Sequence, residues 1–268
     1  MKHSLIIICL FIACYSCTQD DTKSNDEFNV CDVDNGTFIG NILLTNQTQV
    51  DSFGALCYSK IDGSLILQDL DSTSDKIMDL TPLSNLNEVF ITNQPINVVT
   101  GGIGVFCDEL ESLIGLHNIT KLGTLSINYC NRLIDLEGLR SLASIENQYG
   151  AWLRITSNSS LENLSGLNML TKVESGNDTA LLNINNNGAL TNMDALENLD
   201  FVNGSLIFSE TCSATDGSIC FNYNVTDYCG LRNLLSSQTY TDISWMPIAF
   251  ENAFTPSVQD IIDGNCSQ

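Results

Sequence analysis

Two histidines, eleven cysteines and thirty-two carboxylates are the groups from which this 268-residue sequence could build a reactive site. His3 lies in the first residues of the chain, and His117 directly follows an apolar residue, Leu116, which places it on the outer side of its segment. No second histidine accompanies it to make a base–orienter pair or a metal cluster. The sequence has no G-x-S-x-G, no H-E-x-x-H and no phosphate-binding loop. DVDNG at Asp32 to Gly36 alternates oxygen ligands like a calcium loop but lacks the distal glutamate. Asp69, Asp71, Asp75 and Asp79 read as a solvated acidic loop. The expectation is therefore no catalytic residues, no metal site and no cofactor.

The charge balance narrows the partners. Ten Lys+Arg against thirty-two Asp+Glu give a formal net charge of -22. Such a surface repels phosphate backbones, so nucleic-acid binding is not expected.

The elements that must position any site begin after a leader. MKH is a basic start and LIIICLFIAC is an apolar run of signal-peptide length, too short to span a bilayer. The polar, acidic CTQDDTKSNDE that follows reads as a flexible tether. YSC before TQDD resembles a bacterial lipoprotein signal, and that resemblance implies residues 1–16 as signal peptide, 17–30 as tether and Cys17 as the lipidated first residue. It departs from the usual pattern in carrying Cys14 where an aliphatic is customary. With Cys9, Cys14 and Cys17 removed, Cys31, Cys57, Cys107, Cys130, Cys212, Cys220, Cys229 and Cys266 remain. An even number at scattered spacings in an exported chain predicts disulfides.

Three segments then align with Ile127, Ile155 and Ile184 at position zero. Each has an apolar residue two places before: Leu125, Leu153, Leu182. Each has apolar residues at plus 6, 9, 12, 15 and 18, as in Leu133, Leu136, Leu139, Leu142 and Ile145, and a small residue at plus 11: Gly138, Gly166, Ala195. Helical spacing alternates three and four, whereas this run keeps strict threes. The period of two predicts a short strand, and the period of three a 3₁₀-like segment with every third side chain inward. Fainter rows occur at Leu110 to Leu122 and Ile77 to Val89, with a worn copy at Val50, Phe53 and Leu56. The expected fold is mainly β: a leucine-rich solenoid of about six stacked coils plus a terminal cap, on the order of 25 Å tall. NVVTGGIGV, Asn97 to Val105, reads as an insertion forming a projecting loop.

Cys107 and Cys130 each precede the first leucine of a row by three residues, in consecutive coils. Stacked strands lie about 4.8 Å apart, within reach of a disulfide, so this pair is expected to be bonded. The same place in the next coils holds Asn158 and Asn187, an asparagine ladder.

GSLIL, LSIN, LRITSN and LLNINNN, with the following L-x-x-L-x-G-L-x-x-L pattern, resemble the receptor L domain, a leucine-rich right-handed β-helix of receptor ectodomains and bacterial surface proteins. The likeness covers about Phe38 to Phe208, within a predicted domain at 31–211. It implies a first coil closed by Cys31–Cys57, and recognition of a protein or sugar by analogy.

Residues 212–268 read as a cysteine-containing cap that has lost the repeat. Four cysteines allow three pairings, of which Cys212–Cys220 and Cys229–Cys266 are favoured. GLRNLL predicts a short helix, and TPSVQDIIDGNC another with Thr255 at its N-cap and Gly264 past its end.

On this scheme Ser126, Arg154, Asn183 and Ile207 face outward from the strands, with Asn128, Thr156 and Asn185 beside them. Trp152 lies at the same strand end, and Tyr129 and Tyr149 near the corners. The expected function is a lipid-anchored, non-catalytic cell-surface or secreted module that binds a protein or glycan through this face or through the segment at Gly101 to Gly104. The alternative is a ligand-free spacer of the cell envelope. Nine N-x-S/T triplets, from Asn35 to Asn265, read as corner composition in an exported bacterial chain.

Overall fold

The structure is a computed structural model that describes residues 31, 33–70, 74–92, 101–211, 219–222, 224–244, 254 and 256–268, with side chains of 209–211, 219–221 and 244 not described. The leader, the tether, Cys17 and the expected Cys212–Cys220 bridge lie outside what is described. The first strands are Thr37–Ile39 (β1), Ile42–Leu44 (β2), Lys60–Asp62 (β3), Ser64–Gln68 (β4), Glu88–Phe90 (β5) and Gly102–Phe106 (β6). Lys121–Leu122 (β7), Thr124–Asn128 (β8), Ser144–Asn147 (β9), Trp152–Thr156 (β10), Lys172–Ser175 (β11) and Ala180–Asn185 (β12) follow. Phe201–Val202 (β13), Gly204–Ile207 (β14), Ser209–Thr211 (β15), Ile219–Phe221 (β16) and Asp242–Ser244 (β17) complete them. Three short helices join them: Gln47–Gly54 (α1), Arg232–Ser237 (α2) and Val258–Asp263 (α3).

The protein is mainly β, with two parallel sheets. One has seven strands in the order β1-β3-β5-β7-β9-β11-β13, the other eight in the order β17-β14-β12-β10-β8-β6-β4-β2. The chain alternates between them, so sequence neighbours lie in different sheets and each strand pairs with the one a repeat away. The registers are those the apolar spacing predicts. Leu125, Leu153 and Leu182 lie side by side, as do Ile127, Ile155 and Ile184. In the other sheet Ile61, Val89, Leu122, Ile145, Val173 and Val202 form one row. All are fully buried, because a strand with one face on the core must put the same parity inward in every repeat.

Between the sheets the period of three is realised largely by hydrogen bonds from an inward residue to the one three before. Leu139 donates to Leu136 and Leu142 to Leu139, both at 2.8 Å, and Leu167, Leu170, Leu196 and Leu199 repeat the arrangement. The small position is explained by close approach. A Cβ on Gly138 would lie 2.1 Å from the Leu113 carbonyl carbon, and one on Gly166, at φ +110, 1.8 Å from the Leu136 oxygen. Main chain therefore packs directly on main chain from one repeat to the next.

Four expectations are corrected. First, the glycine stretch is no projecting loop where it is described: Gly102–Phe106 is β6, paired to β4 and β8 through Val105, which lies beside Leu67 and Ile127. Its glycines mark tight contact, since a Cβ on Gly102 would meet Thr124 backbone at 2.2 Å. Second, the worn first copy is an α-helix, α1, capped by Asn46 and burying Val50 and Phe53.

Third, Cys107 and Cys130 are both free, buried thiols. Aligned on the paired Val105 and Ile127, Cys107 follows its strand residue by two places and Cys130 by three, with Tyr129 at φ 59 in the extra position. Cys130 thereby takes the asparagine place in its repeat. Asn158 Oδ1 accepts from its N–H at 3.0 Å, and its sulfur lies 3.6 Å from the Val105 carbonyl, the counterpart of the bond from the Asn158 amide to Ile127. The thiol is directed to the preceding strand as a weak donor and makes no cross-link. Fourth, α3 is capped by Ser257, in a capping box with Asp260, where Thr255 was expected; Thr255 lies outside the described residues. Gly264 ends the helix at φ 91 as expected.

The C-terminal segment also continues the pattern it was read as losing. Asn222 joins the asparagine column, Val225 and Leu231 extend the row of threes, Gly230 takes the small place, and β17 adds a strand beside β14. Cys31–Cys57 and Cys229–Cys266 are disulfides, with Cα atoms 5.6 and 4.9 Å apart. Those bonds indicate an oxidising, extracellular environment. Among the described residues no helix is long and apolar enough to cross a membrane.

Candidate binding surface

Outward residues of the eight-stranded sheet run in register across it: Leu43, Ile66, Gly104, Ser126, Arg154, Asn183 and Ile207. The predicted residues are thus brought together, but they differ in access. Arg154 is exposed, and Ser126, Trp152 and Thr156 are partly so. Asn183 and Asn185 are only 2% and 3% exposed, with the Asn185 amide donating to Asn183 Oδ1, so a ligand cannot reach them as expected. Asn128 is buried too, and its oxygen accepts from the Thr156 hydroxyl at 2.5 Å. Of Ser126, Asn128, Trp152, Arg154, Thr156, Asn183 and Asn185, the accessible ones lie on two strands, β8 and β10.

On that strip the Trp152 side chain is held in place. The Trp152 indole N–H donates to Ser126 Oγ at 3.1 Å, laying the ring toward the neighbouring strand. Tyr129, at the corner after β8, is 64% exposed and its left-handed backbone is fixed by a bond from its N–H to the Thr156 carbonyl. Half of the eight described cations meet carboxylates, and Arg154 is among those that do not. Lys60, Lys121, Arg132 and Lys172 all sit in ion pairs, whereas no described carboxylate pairs with Arg154. Sequence reading missed the border of this strip: Ile66 and Phe106 close over Gly104, where a Cβ would come within 3.0 and 2.9 Å of them. The close approach of two strand residues over a glycine was the available signal, but it depends on knowing that β6 is a strand.

The seven-stranded sheet presents the opposite kind of face. Lys60–Glu88, Lys121–Glu146, Lys172–Glu146 and Lys172–Glu174 bridge adjacent strands or neighbours on one strand at 3.1 to 3.2 Å. Burial opposes the Glu146 carboxylate, but hydrogen bonds from Ser144, Lys121 and Lys172 outweigh it and hold its pKa below the ordinary glutamate range. The Glu174 carboxylate, and then Glu146, hold the Lys172 ammonium above its own.

The groups with chemical potential elsewhere have structural partners. His117 Nδ1 accepts from the Gly115 N–H, and burial, with Arg140 nearby, lowers its pKa. Asp69, Asp75 and Asp79 accept from the main-chain N–H groups of Ile77, Thr48 and Thr81, and Asp34 from that of Gly36. Among the described residues no group of three His, Cys, Asp or Glu could hold a metal ion. Burial raises the Cys107 thiol far above its usual range and pushes Cys130 up to about 12, which makes both poor nucleophiles. Of the N-x-S/T asparagines, Asn158 is completely buried and Asn118, Asn203 and Asn224 donate to carbonyls a repeat away. Set against protein-family models, curated proteins and solved structures, the chain matches none.

Proposed function

We propose that this protein is a receptor-L-domain-like right-handed β-helix that serves as a non-catalytic recognition module, lipid-anchored at Cys17 and displayed at the outer membrane or cell surface. The alternation of strands between two parallel sheets, with every repeat stacking in register on the last, supports the β-helix reading. A single observation carries the recognition reading. Arg154 lies exposed beside Trp152 on the outward face of the sheet, and no described carboxylate pairs with it. An unpaired arginine next to an ordered aromatic ring is a common binding anchor. The ion-paired face of the other sheet supports the second reading, a ligand-free envelope spacer, since such a surface offers no free anchor.

The test is metabolic labelling with an alkyne fatty acid, followed by protease treatment of intact cells. Label that disappears in Cys17→Ala, together with protease sensitivity, supports the anchored display; no label on the wild-type chain removes the anchor. Screening the purified protein on glycan and protein arrays then separates the two readings, because a spacer binds neither.

A further inference from the structure

We infer that the strip on β8 and β10 is a subsite for an oligosaccharide carrying an isolated carboxylate, with Arg154 as its anion contact and Trp152 and Tyr129 as its flanking stacking surfaces. The inference rests on the recognition reading above and gives it a ligand chemistry.

Three observations point the same way. Trp152, Arg154 and Thr156 alternate outward along one strand, so at about 3.3 Å per residue they span on the order of 13 Å, a short oligosaccharide's length rather than a single small anion's. Tyr129 extends this line at the corner, where its main chain is anchored and its ring is exposed. The Trp152 ring is similarly fixed by Ser126. Aromatic rings on a polar sheet face suit the C–H faces of sugars, and the strip is bordered by the apolar Ile66 and Phe106 on one side.

The charges on the protein favour a carboxylate that stands alone. Arg154 presents a planar fork of donors suited to a carboxylate in bidentate geometry, and no described acid of the protein fills it. A polyanion would meet the repulsion of a chain with net charge -22, whereas one carboxylate on an otherwise neutral sugar meets one arginine.

The experiment uses the purified full-length protein in detergent and three probes. These are a xylo-oligosaccharide bearing one glucuronate, the same compound after carboxyl reduction, and the unsubstituted xylo-oligosaccharide. Binding is read by calorimetry and by the fluorescence of Trp152. The expected result is saturable binding of the uronate probe, weakened roughly tenfold to a hundredfold by carboxyl reduction or by Arg154→Gln. The fluorescence change should vanish in Trp152→Phe. Circular dichroism and the melting temperature of Arg154→Gln should match wild type, since the side chain is exposed and unpaired.

Equal binding of all three probes would overturn the anion contact. Binding of none, or binding of the uronate probe unchanged by Arg154→Gln, would overturn the subsite. A protein ligand found on the arrays and indifferent to Arg154→Gln would overturn the subsite while leaving the recognition reading intact.

Discussion

Asn187 Oδ1 accepts from both the main-chain N–H and the side-chain amide of Asn158, at 3.1 and 3.0 Å, while each asparagine sends its own amide back to a strand carbonyl of the preceding repeat. Both side chains are completely buried. The column runs from Cys130 through Asn158 and Asn187 to Asn222, and it satisfies main-chain groups that would otherwise be orphaned at the corner after each strand. Asn187→Ala removes acceptors from Asn158 and a donor from the Ile155 carbonyl. The expected cost is about 3 kcal/mol or more, from several buried groups left unpaired. Urea unfolding checks it, with Asn131→Ala at the exposed edge as a control costing about 1 kcal/mol or less.

Burial of Cys130 in this column, and of Cys107 beside it, predicts the behaviour of the thiols. Cys107 and Cys130 should resist an alkylating agent in the native protein and react once it is unfolded in denaturant without reductant, as read by peptide mass spectrometry. A disulfide between them would show as no alkylation in either state. Cys130→Asn places an amide where the neighbouring repeats already carry one, so it should fold and keep at least most of the wild-type stability.

Gly166→Ala should be far more damaging than its chemistry suggests. The added carbon would fall 1.8 Å from the Leu136 oxygen, and the residue sits at φ +110, where an L side chain is strained. A loss of about 3 kcal/mol or more is expected. Ala195 occupies the corresponding place in the next repeat, so Ala195→Gly should cost only about 1 kcal/mol. Similar costs for the two substitutions would contradict the packing described for this column.

The ion-paired sheet face predicts a pH profile. Glu146 has its folded pKa depressed, so its contribution is complete above the ordinary glutamate range and is lost as the pH falls through that range and into the folded value. Lys172 has its folded pKa raised, so its contribution is complete below the ordinary lysine range and is lost as the pH rises through it toward the folded value. The ladder therefore stabilises most between these limits. Its size is about 1 kcal/mol or less, because Lys121 and Lys172 are 40% and 36% exposed and solvent screens them. Glu146→Gln should flatten the acid side of the melting-temperature profile by that amount, and 1 M salt should do much the same.

The sequence alone determined the inward residues and their register. A side chain buried in every repeat must be apolar in every repeat, so Leu125, Leu153 and Leu182 could be aligned before any pairing was known, and so could the outward Ser126 and Arg154. Helix ends were legible where short-range chemistry sets them, as at Gly264. What only the tertiary structure decided depends on contact between residues that are distant along the chain. Gly102–Phe106 looks like a loop by composition and is a strand because Thr124 and Ile66 approach its glycines. Asn222 has no local mark of belonging to a column whose previous member is 35 residues earlier. Cys107 and Cys130 share a place by counting, yet one additional corner residue, Tyr129, turns the Cys130 thiol toward the Val105 carbonyl and leaves both sulfurs free. Burial likewise withdrew Asn183 and Asn185 from the face that their strand parity gives them, since parity sets a direction and only packing sets access.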